Sequence, residues 1–318
     1  MRILIVGANG PYRTEASLAR AARALGHEAR VLDALGWRRR LGALAGPVLG
    51  WQAHAFAPDY VLCTRHAISA GEGTLARLLR GRDSAFWYFD GDTPLPPRVS
   101  ALARLVARTF ATTGYQAEAL AALGLESHFL PQGVDPELDA PATQSPPEFA
   151  CDLSFVGSGQ FARRHALLER LAARFAVQIR GTGWDQAPAG LPVIPGRVEG
   201  LRLAEVIRGA TISLGIDGLE AQRRETRGGT SNRLWKVLGS GGLYLGEYLP
   251  GVEAFAQPGV HACWYRSPDD AVAQAEALLA DGAARQRISA AGRTHALAHH
   301  TYRHRLERLL AGQDYTST

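Results

Sequence analysis

The chain twice repeats one local pattern, in which a short apolar run leads into a glycine-rich loop and then into a segment of helical periodicity. The first copy joins residues 3–6 to the loop at 7–10, and the second joins residues 152–156 to the loop at 157–159. A buried strand, a tight turn and a helix form the repeating unit of a parallel α/β sheet. The sequence therefore predicts an α/β protein with two Rossmann-like, doubly wound domains.

The length of the chain and its proline content predict where these domains divide. With 318 residues, of which 46% are hydrophobic and 20% charged, the chain is long enough for two domains of about 150 residues each. Residues 131–147 hold five prolines among several turn residues, as is typical of an interdomain linker. We therefore predict an N-terminal domain over residues 1–145 and a C-terminal domain over residues 146–300.

Charge and cysteine usage narrow the range of partners and compartments. A net charge of +5 and a pI near 9.4 suit a phosphate-bearing partner or an anionic surface. The arginines are scattered and not interleaved with aromatic residues, so nucleic acid is not favoured. The three cysteines are far apart, and their odd number is unlike a disulfide framework. A reducing cytoplasm is the simplest predicted location.

The hydropathy pattern predicts a soluble or peripheral protein. The most apolar long segment, residues 41–57, is interrupted by a proline, glycines and a histidine, so it is a poor candidate for a membrane span. Just before it, Trp37-Arg38-Arg39-Arg40 opens an amphipathic segment. We favour a helix that packs on its own sheet with solvated arginines. Peripheral contact with the inner face of a membrane stays open as an alternative.

One stretch of the second half carries the features of an anion site. Gly229 belongs to a glycine-flexible loop, the next three residues are good helix N-caps, and the helix that follows ends at Gly241-Gly242. The free N–H groups and positive dipole end of such a helix favour an anion. The residues expected to hold a diphosphate there are Arg227, Gly229, Thr230, Ser231, Asn232 and Arg233.

Lys236 lies within this predicted helix and is the only lysine in a chain with 35 lysines and arginines. A compact ammonium differs from a guanidinium fork in hydration and geometry, so a lysine retained in an arginine-rich chain indicates a specific contact. We expect it to bind the donor diphosphate. The alternative is an ordinary lysine on a solvated face.

The stretch from Arg227 to Tyr265, together with His300-Thr301-Tyr302 and Arg305, resembles the spore-protein CgeB-like glycosyltransferases. The likeness covers roughly residues 150–310 well and the first 150 residues loosely. It implies a GT-B architecture, with the two domains facing each other across a cleft and a last helix, about residues 301–318, that crosses back to the first domain. Many such proteins carry a glutamate where this chain has Lys236, so retention or inversion of the sugar stays open.

The resemblance also implies where a nucleotide sugar would lie. Gly157 and Ser158 match the loop near the donor diphosphate. Gly196, Arg197 and Val198 match the turn that holds the nucleotide base. We add Arg163 as a further cation for the departing diphosphate, because it opens the helix after this loop.

Polar residues follow three predicted strands of the first half. Ligands in doubly wound sheets lie beyond the carboxyl ends of the strands, so Glu15, His66 and Asp90 are candidates to activate the acceptor hydroxyl. The acceptor side is predicted to include Asn9, Gly10, Tyr12, Arg13 and Asp92. Asp90-Gly91-Asp92 also fits a metal site or a simple turn, but it lies far from the predicted diphosphate loop.

These observations predict a glycosyltransferase that moves a sugar from a nucleoside-diphosphate sugar to an acceptor hydroxyl, without a metal or another cofactor. The acceptor, whether glycan, protein, lipid or small molecule, is open. A nucleotide-sugar-binding protein that has lost catalysis and an epimerase-like enzyme are the alternatives. The first loop lacks the third glycine of a dinucleotide fingerprint, so NAD(P) is not favoured. A zinc site is not expected at the histidines clustered near the C-terminus, His295, His299, His300 and His304.

Overall fold

The structure, a computed structural model, describes residues 1–91, 94–218 and 229–315. The chain forms two compact units. The first comprises Met1–Gln132 and the segment that starts at Tyr302, and the second comprises Gly133–Thr301. Residues 133–145 thus group with the second unit by their contacts, and the domain boundary near residue 145 stays a prediction.

The first unit is built on six parallel strands in the order β2-β1-β3-β4-β5-β6. Strands β1, β3 and β4 are apolar on both faces because helices cover the sheet on both sides. The strands are β1 (Arg2–Gly7), β2 (Glu28–Asp33), β3 (Tyr60–Thr64), β4 (Asp83–Tyr88), β5 (Arg108–Ala111) and β6 (Ser127–Phe129). The helices that precede the second unit in the chain are α1 (Thr14–Ala24), α2 (Ala34–Leu41), α3 (Ala45–Phe56), α4 (Glu72–Leu79), α5 (Pro97–Ala103) and α6 (Gly114–Ala121).

The second unit repeats this design with the order β12-β11-β10-β7-β8-β9, again all parallel. Its strands are β7 (Cys151–Val156), β8 (Val177–Gly181), β9 (Val193–Pro195), β10 (Ala210–Gly215), β11 (Tyr244–Glu247) and β12 (Cys263–Tyr265). Its helices are α7 (Ala162–Ala172), α8 (Leu201–Gly209), α9 (Asn232–Gly239), α10 (Pro268–Ala280) and α11 (Gly282–His299). The predicted doubly wound α/β architecture is confirmed.

Each sheet has one place where the order of the strands reverses. In the first unit the chain winds outward from β1 to β2 and then continues on the other side through β3. In the second unit it winds from β7 to β9 and then continues through β10 on the other side. Ligands of doubly wound sheets bind at such switch points, beyond the carboxyl ends of the strands. The β7/β10 and β1/β3 edges are therefore the places to search for function.

The last helix, α12 (Tyr302–Ala311), packs in the first unit. Tyr302, Leu306 and Leu309 lie in the same buried apolar cluster as Leu18 of α1. Arg305 is also buried, and its Nε donates to the Gln132 carbonyl at 3.1 Å. Burial lowers the pKa of this guanidinium to about 10. The chain therefore leaves the first unit at Gln132 and returns to it at Tyr302.

Two strands of the second unit end or begin at turns. Strand β12 starts at Cys263, because the His261 N–H just before it bonds to the Gln257 carbonyl in a turn. Strand β9 stops at Pro195 and does not reach Val198. Gly196, whose φ is +119°, leaves the strand there.

Candidate functional site

A recess lies next to the switch point of the second unit, at the carboxyl ends of β10 and β11 and the N-terminus of α9. Four of its lining residues are among the predicted donor residues, namely Gly229, Thr230, Ser231 and Arg233. The other residues that line it are Gly215, Ile216, Asp217, Tyr244, Glu247, Leu249, Val252 and Trp264. The recess therefore combines a helix N-terminus, a cation and two carboxylates.

Arg233 is the cation that faces this recess. Its Nε donates to the Val156 carbonyl at 2.7 Å, and its guanidinium lies 4.5 Å from the centre of the Phe155 ring. Its Nη1 is buried and has no hydrogen-bond partner among the described residues. Burial also lowers the pKa of the group. A desolvated guanidinium with an unused donor is favourable for an anion that enters from the recess.

The glycine loop after β7 is shaped by this arginine. A Cβ on Gly157 would clash with Nη2 of Arg233 and with the Phe155 ring, so only glycine lets the side chain pass. The carbonyl of Gly157 accepts a bond of 3.0 Å from the Trp184 indole. The predicted loop residue Ser158 accepts from Arg164 Nη1 through its carbonyl at 2.6 Å and through Oγ at 3.0 Å.

Arg164 is a second buried guanidinium at the same edge of the sheet. Its Nε donates to the Ile216 carbonyl at 3.2 Å, so it joins the ends of β7 and β10. Burial, with a contribution from the nearby Arg233, lowers its pKa to about 10. The positive charge of this edge thus comes from two arginines that are held close together.

Arg163 pairs with a carboxylate of the recess. Its Nη1 and Nη2 each donate to one oxygen of Glu247, both at 2.9 Å, and Nη1 also donates to the Asp217 carbonyl at 3.0 Å. Burial raises the pKa of Glu247, and Arg163 opposes that shift. This fork fixes Glu247 at the end of β11 beside the recess.

Helix α9 begins as the sequence predicts. Ser231 is its N-cap, and Oγ accepts from the Arg233 N–H at 3.3 Å. Asn232 starts the helix, and its Oδ1 is buried without a hydrogen-bond partner in the part of the chain described. Leu234, Trp235, Val237 and Leu238 are buried, so the helix is anchored by its apolar face while its first turn borders the recess.

Lys236 does not line the recess. Its Nζ lies 3.3 Å from Oδ1 of Asp139, whose side chain is only 5% exposed. Burial raises the pKa of Asp139, and the charge of Lys236 and the Asp135 N–H oppose the shift. The Lys236 side chain is about one third exposed, at 32%, so a second acceptor could approach it.

The other predicted donor residues lie elsewhere or are not described. Gly196, Arg197 and Val198 follow β9 at the far edge of the sheet, where Arg197 pairs with Glu199 at 3.4 Å. They are not among the residues that line the recess. Arg227, and Asp92 in the first half, fall outside the described residues.

In the first unit, Glu15 is a buried carboxylate at the β1/β3 switch point. Its Oε1 accepts from the Ala8 N–H at 3.1 Å and from Thr64 Oγ1 at 2.6 Å. A Cβ on Gly7 would clash with both the Glu15 and Thr64 side chains, so the glycine permits this approach. Glu15 thus ties the first loop to the end of β3.

His66 and Asp90 follow β3 and β4 at the same edge. Burial, and then the charge of Arg65, lowers the pKa of His66, while Glu15 and Asp90 oppose the shift. Asp90 is bound by Arg65 Nη1 through both of its oxygens. The lowered pKa favours the neutral form of the His66 imidazole, whereas Asp90 is engaged in an ion pair with Arg65.

The predicted acceptor-side residues lie on the loop between β1 and α1. The Asn9 N–H bonds to Asp33 Oδ1 at 3.1 Å, and the Gly10 carbonyl accepts from the Arg13 N–H at 3.2 Å in a turn. Tyr12 is exposed. The charge of Arg13 acts on the pKa of His66, so this loop lies near the His66 group.

The C-terminal histidines stack on one another. His261 and His295 are parallel, with ring centres 4.0 Å apart, and His300 stacks on Trp235 at 4.6 Å. Burial lowers the pKa values of His261 and His295. Within the described ranges, no group of three or more His, Cys, Asp or Glu residues has the geometry of a metal site. In the same part of the chain, no helix is long and apolar enough to cross a membrane.

Residues 163–311 match a family model described as glycosyl transferase-like. The match covers just under half of the chain and includes Arg163, Arg164, α9 and the recess. It supports a glycosyl transferase group 1-like assignment for this half, and the narrower CgeB-like likeness stays a prediction. A search of curated proteins found no match.

Solved structures share the fold over almost the whole chain. Anabaena Alr3699/HepE in complex with UDP and glucose has a TM-score of 0.67 at 12% identity, with 98% of each chain covered. Sucrose-phosphate synthase from Thermosynechococcus elongatus has a TM-score of 0.65 at 10% identity, also with 98% of each covered. An E. coli trehalose-6-phosphate protein bound with UDP-2-fluoro glucose has a TM-score of 0.63 at 12% identity, with both chains covered fully. The chain has the GT-B fold.

Sequence reasoning missed Glu247, which lines the recess, and Arg164, which is buried at the same edge of the sheet. Glu247 ends an apolar run and so occupies the carboxyl end of a strand, which is a signal that the sequence offers. Arg164 gives no such signal, because it differs from Arg163 only in its position on α7. Their roles depend on partners 84 and 52 residues away in the chain.

Proposed function

We propose that the protein transfers a sugar from a nucleoside-diphosphate sugar to an acceptor hydroxyl, and that the recess at α9 binds the donor diphosphate. The observation that carries this proposal is Arg233, which lines the recess and whose buried Nη1 has no hydrogen-bond partner among the described residues. Desolvated donors of this kind are costly unless an anion uses them. The family-model match over residues 163–311 and the UDP complexes among the structural neighbours support the same donor class.

The chemistry requires stabilisation of the departing nucleoside diphosphate. Arg233 and the N–H groups of the first turn of α9 are proposed to do this directly. Arg163, Gly157 and Ser158 act around them, since Arg163 holds Glu247 and the loop after β7 makes room for Arg233. The cationic groups supply the charge that a divalent ion would otherwise bring, so we propose that transfer needs no metal and no further cofactor.

The acceptor hydroxyl requires a base. We propose His66, because burial lowers its pKa and keeps the imidazole neutral and able to accept a proton near pH 7. Asp90 and Glu15 are the alternatives, but both are held in contacts to Arg65 and Thr64. Asn9, Gly10, Tyr12 and Arg13 are proposed to contact the acceptor from the neighbouring loop.

Two further proposals concern the turn that contacts the nucleobase and the cellular location. Gly196, Arg197 and Val198 remain the proposed base contact on the family likeness alone. The cysteines Cys63, Cys151 and Cys263 are free, which fits a reducing cytoplasm.

The test measures donor binding and transfer separately. Calorimetry with UDP, GDP, dTDP and CMP should show one nucleotide that binds, and Arg233→Met should weaken it by about 10- to 150-fold, as for a charge-assisted bond of roughly 1.5–3 kcal/mol. Arg293→Met is the matched control. It removes an arginine of the same unit that donates to the Gly239 carbonyl at 3.1 Å, at the other end of α9.

Release of the nucleotide from its sugar donors distinguishes transfer from binding alone. Activity that persists in EDTA supports metal-free transfer, and activity that manganese restores would contradict it. A protein that binds the nucleotide and releases none from any sugar donor would favour the catalytically inactive alternative. Equal losses of nucleotide affinity in the Arg233 and Arg293 variants would contradict a direct contact between Arg233 and the diphosphate.

A further inference from the structure

The first unit exposes an apolar and basic surface at the end of α2 and along α3. Leu44 is 72% exposed and Trp51 is 70% exposed, which are the two highest values among the large hydrophobic residues of the described chain that are exposed. Arg38, Arg39 and Arg40 are exposed directly before them. We refer to these five residues as the α2–α3 patch.

The two apolar side chains of the α2–α3 patch point away from the core. Leu44 ends the short 3₁₀ turn Gly42–Leu44 directly before α3, and Trp51 lies on the exposed side of α3. The opposite side of α3 is buried through Leu49, Ala53 and Phe56. Within the described chain, no other element covers the exposed side of α3. Both sides of the helix therefore carry apolar residues.

Trp37, which the sequence places next to the arginines, is not part of the exposed surface. It is half-buried and packs against the core of the first unit. The guanidinium of Arg40 lies over its ring at 5.6 Å. The aromatic residue available to a partner is therefore Trp51.

The charge around the α2–α3 patch has a single sign. Residues 34–58 contain three arginines and no aspartate or glutamate. Several other surface arginines have carboxylate partners, as Arg174 has in Glu276 at 2.9 Å. Among the residues that the structure describes, Arg38, Arg39 and Arg40 form no ion pair. An anionic partner would find these guanidinium groups unneutralised.

We propose that the α2–α3 patch binds the surface of an anionic lipid bilayer. Tryptophan is favoured at the headgroup boundary, leucine inserts into the apolar layer below it, and arginines attract acidic headgroups. A second copy of the chain fits less well, because a symmetric contact would bring six unpaired arginines together. A nucleic acid would use the arginines but leaves the exposed leucine without a role.

The inference is independent of the proposed sugar transfer, because the test measures binding to vesicles. Phosphatidylcholine vesicles with and without phosphatidylglycerol are sedimented with the full-length protein. Binding is expected only when phosphatidylglycerol is present, and it should weaken as salt increases. The emission of Trp51 should shift to shorter wavelength on binding.

Two pairs of variants separate the charge from the apolar contact. Replacing Arg38, Arg39 and Arg40 by Gln should lower the vesicle partition coefficient at least tenfold, since each arginine contributes about 1 kcal/mol near an anionic surface. The control replaces Arg77, Arg80 and Arg104, which are exposed in the same unit, by Gln. It has the same net charge and should bind like the natural protein.

The apolar pair is tested in the same way. Leu44→Gln with Trp51→Gln should also lower partition at least tenfold and abolish the spectral shift. Leu201→Gln with Val260→Gln, at exposed apolar positions of the second unit, is the matched control. Circular dichroism and thermal unfolding confirm that each variant is folded.

Three outcomes would overturn the proposal. They are no binding to phosphatidylglycerol vesicles, equal binding to vesicles without it, and equal losses in the patch variants and their controls. Sedimentation velocity adds a fourth: a dimer in solution that the patch variants dissociate would assign the surface to self-association. Displacement from vesicles by single-stranded oligonucleotide at equimolar phosphate would assign it to nucleic acid.

Discussion

Arg233 and Lys236 belong to one helix, yet their charges have different surroundings. Arg233 is desolvated at the recess and keeps one donor unused within the described structure. Lys236 lies beside Asp139 and is about one third exposed, with 32% of its side chain accessible. An ammonium has three donors, so the pair with Asp139 leaves room for a donor phosphate as well. A direct contact between Lys236 and the donor therefore stays a prediction, which nucleotide affinity can test.

We predict that Lys236→Met weakens nucleotide binding by about 10- to 150-fold, as loss of a charge-assisted bond would. It should also lower the free energy of unfolding by about 1–3 kcal/mol at neutral pH, because it leaves the buried carboxylate of Asp139 without its cation. Asp139→Asn is the control, since it frees the ammonium and should leave calorimetric affinity unchanged. If Lys236→Met changes nucleotide affinity by less than about twofold, Lys236 pairs with Asp139 and does not contact the donor.

We predict that His66 sets the acid side of the pH–rate profile. A base must be unprotonated, so kcat/KM should be full above the lowered pKa of His66 and fall as the pH drops through it, below the ordinary value of 6.5. His66→Asn should lower turnover by about 10²–10⁴-fold and remove this limb. Asp90→Asn should keep the limb. A profile that His66→Asn leaves unchanged would move the base to Asp90 or Glu15.

At the scale of elements, α9 joins stability and binding in one short helix. Its buried face, which includes Trp235 and Leu238, anchors it between the sheet and α11. Its first turn supplies Ser231 and Arg233 to the recess. A helix of eight residues is not stable alone, so its N-terminus is held in place by tertiary packing. The recess is therefore preorganised by the core below it.

We predict that the cap of α9 affects binding while an equivalent cap elsewhere does not. Ser231→Ala should lower the free energy of unfolding by about 1 kcal/mol and weaken nucleotide binding, because Ser231 also lines the recess. Ser267 caps α10 through a bond of 3.1 Å from the Asp270 N–H. Ser267→Ala should cost similar stability in urea unfolding with no change in affinity. Equal losses of affinity in both variants would point to a general effect of stability.

At the scale of the whole molecule, the chain order and the compact units do not coincide. The first unit contains the two ends of the described chain, since α12 packs with α1 after the second unit is complete. Leu306 and Leu309 are fully buried there. The first sheet therefore has one of its faces completed by residues about three hundred positions from its first strand.

We predict that Leu306→Ala lowers the free energy of unfolding by about 2–5 kcal/mol, the usual effect of a cavity at a buried leucine. Leu310→Ala, at a half-buried position of the same helix, should cost clearly less. Urea unfolding measures both, and nucleotide affinity should change in neither, because the recess lies in the second unit. A small effect of Leu306→Ala would mean that α12 is dispensable to the first unit.

The sequence by itself determined the doubly wound α/β class, the glycine loops after β1 and β7, and the start of α9 to within the three N-cap candidates at residues 230–232. These features are local, since strand and helix periodicity, turn residues and caps are read within a few positions. Only the tertiary structure decided the partners of the charged groups. Arg163 meets Glu247 across 84 positions and Lys236 meets Asp139 across 97, and local spacing does not encode contacts at such separations. The sequence therefore predicted the segment that we propose binds the diphosphate, and the fold decided which arginine lies buried at the recess.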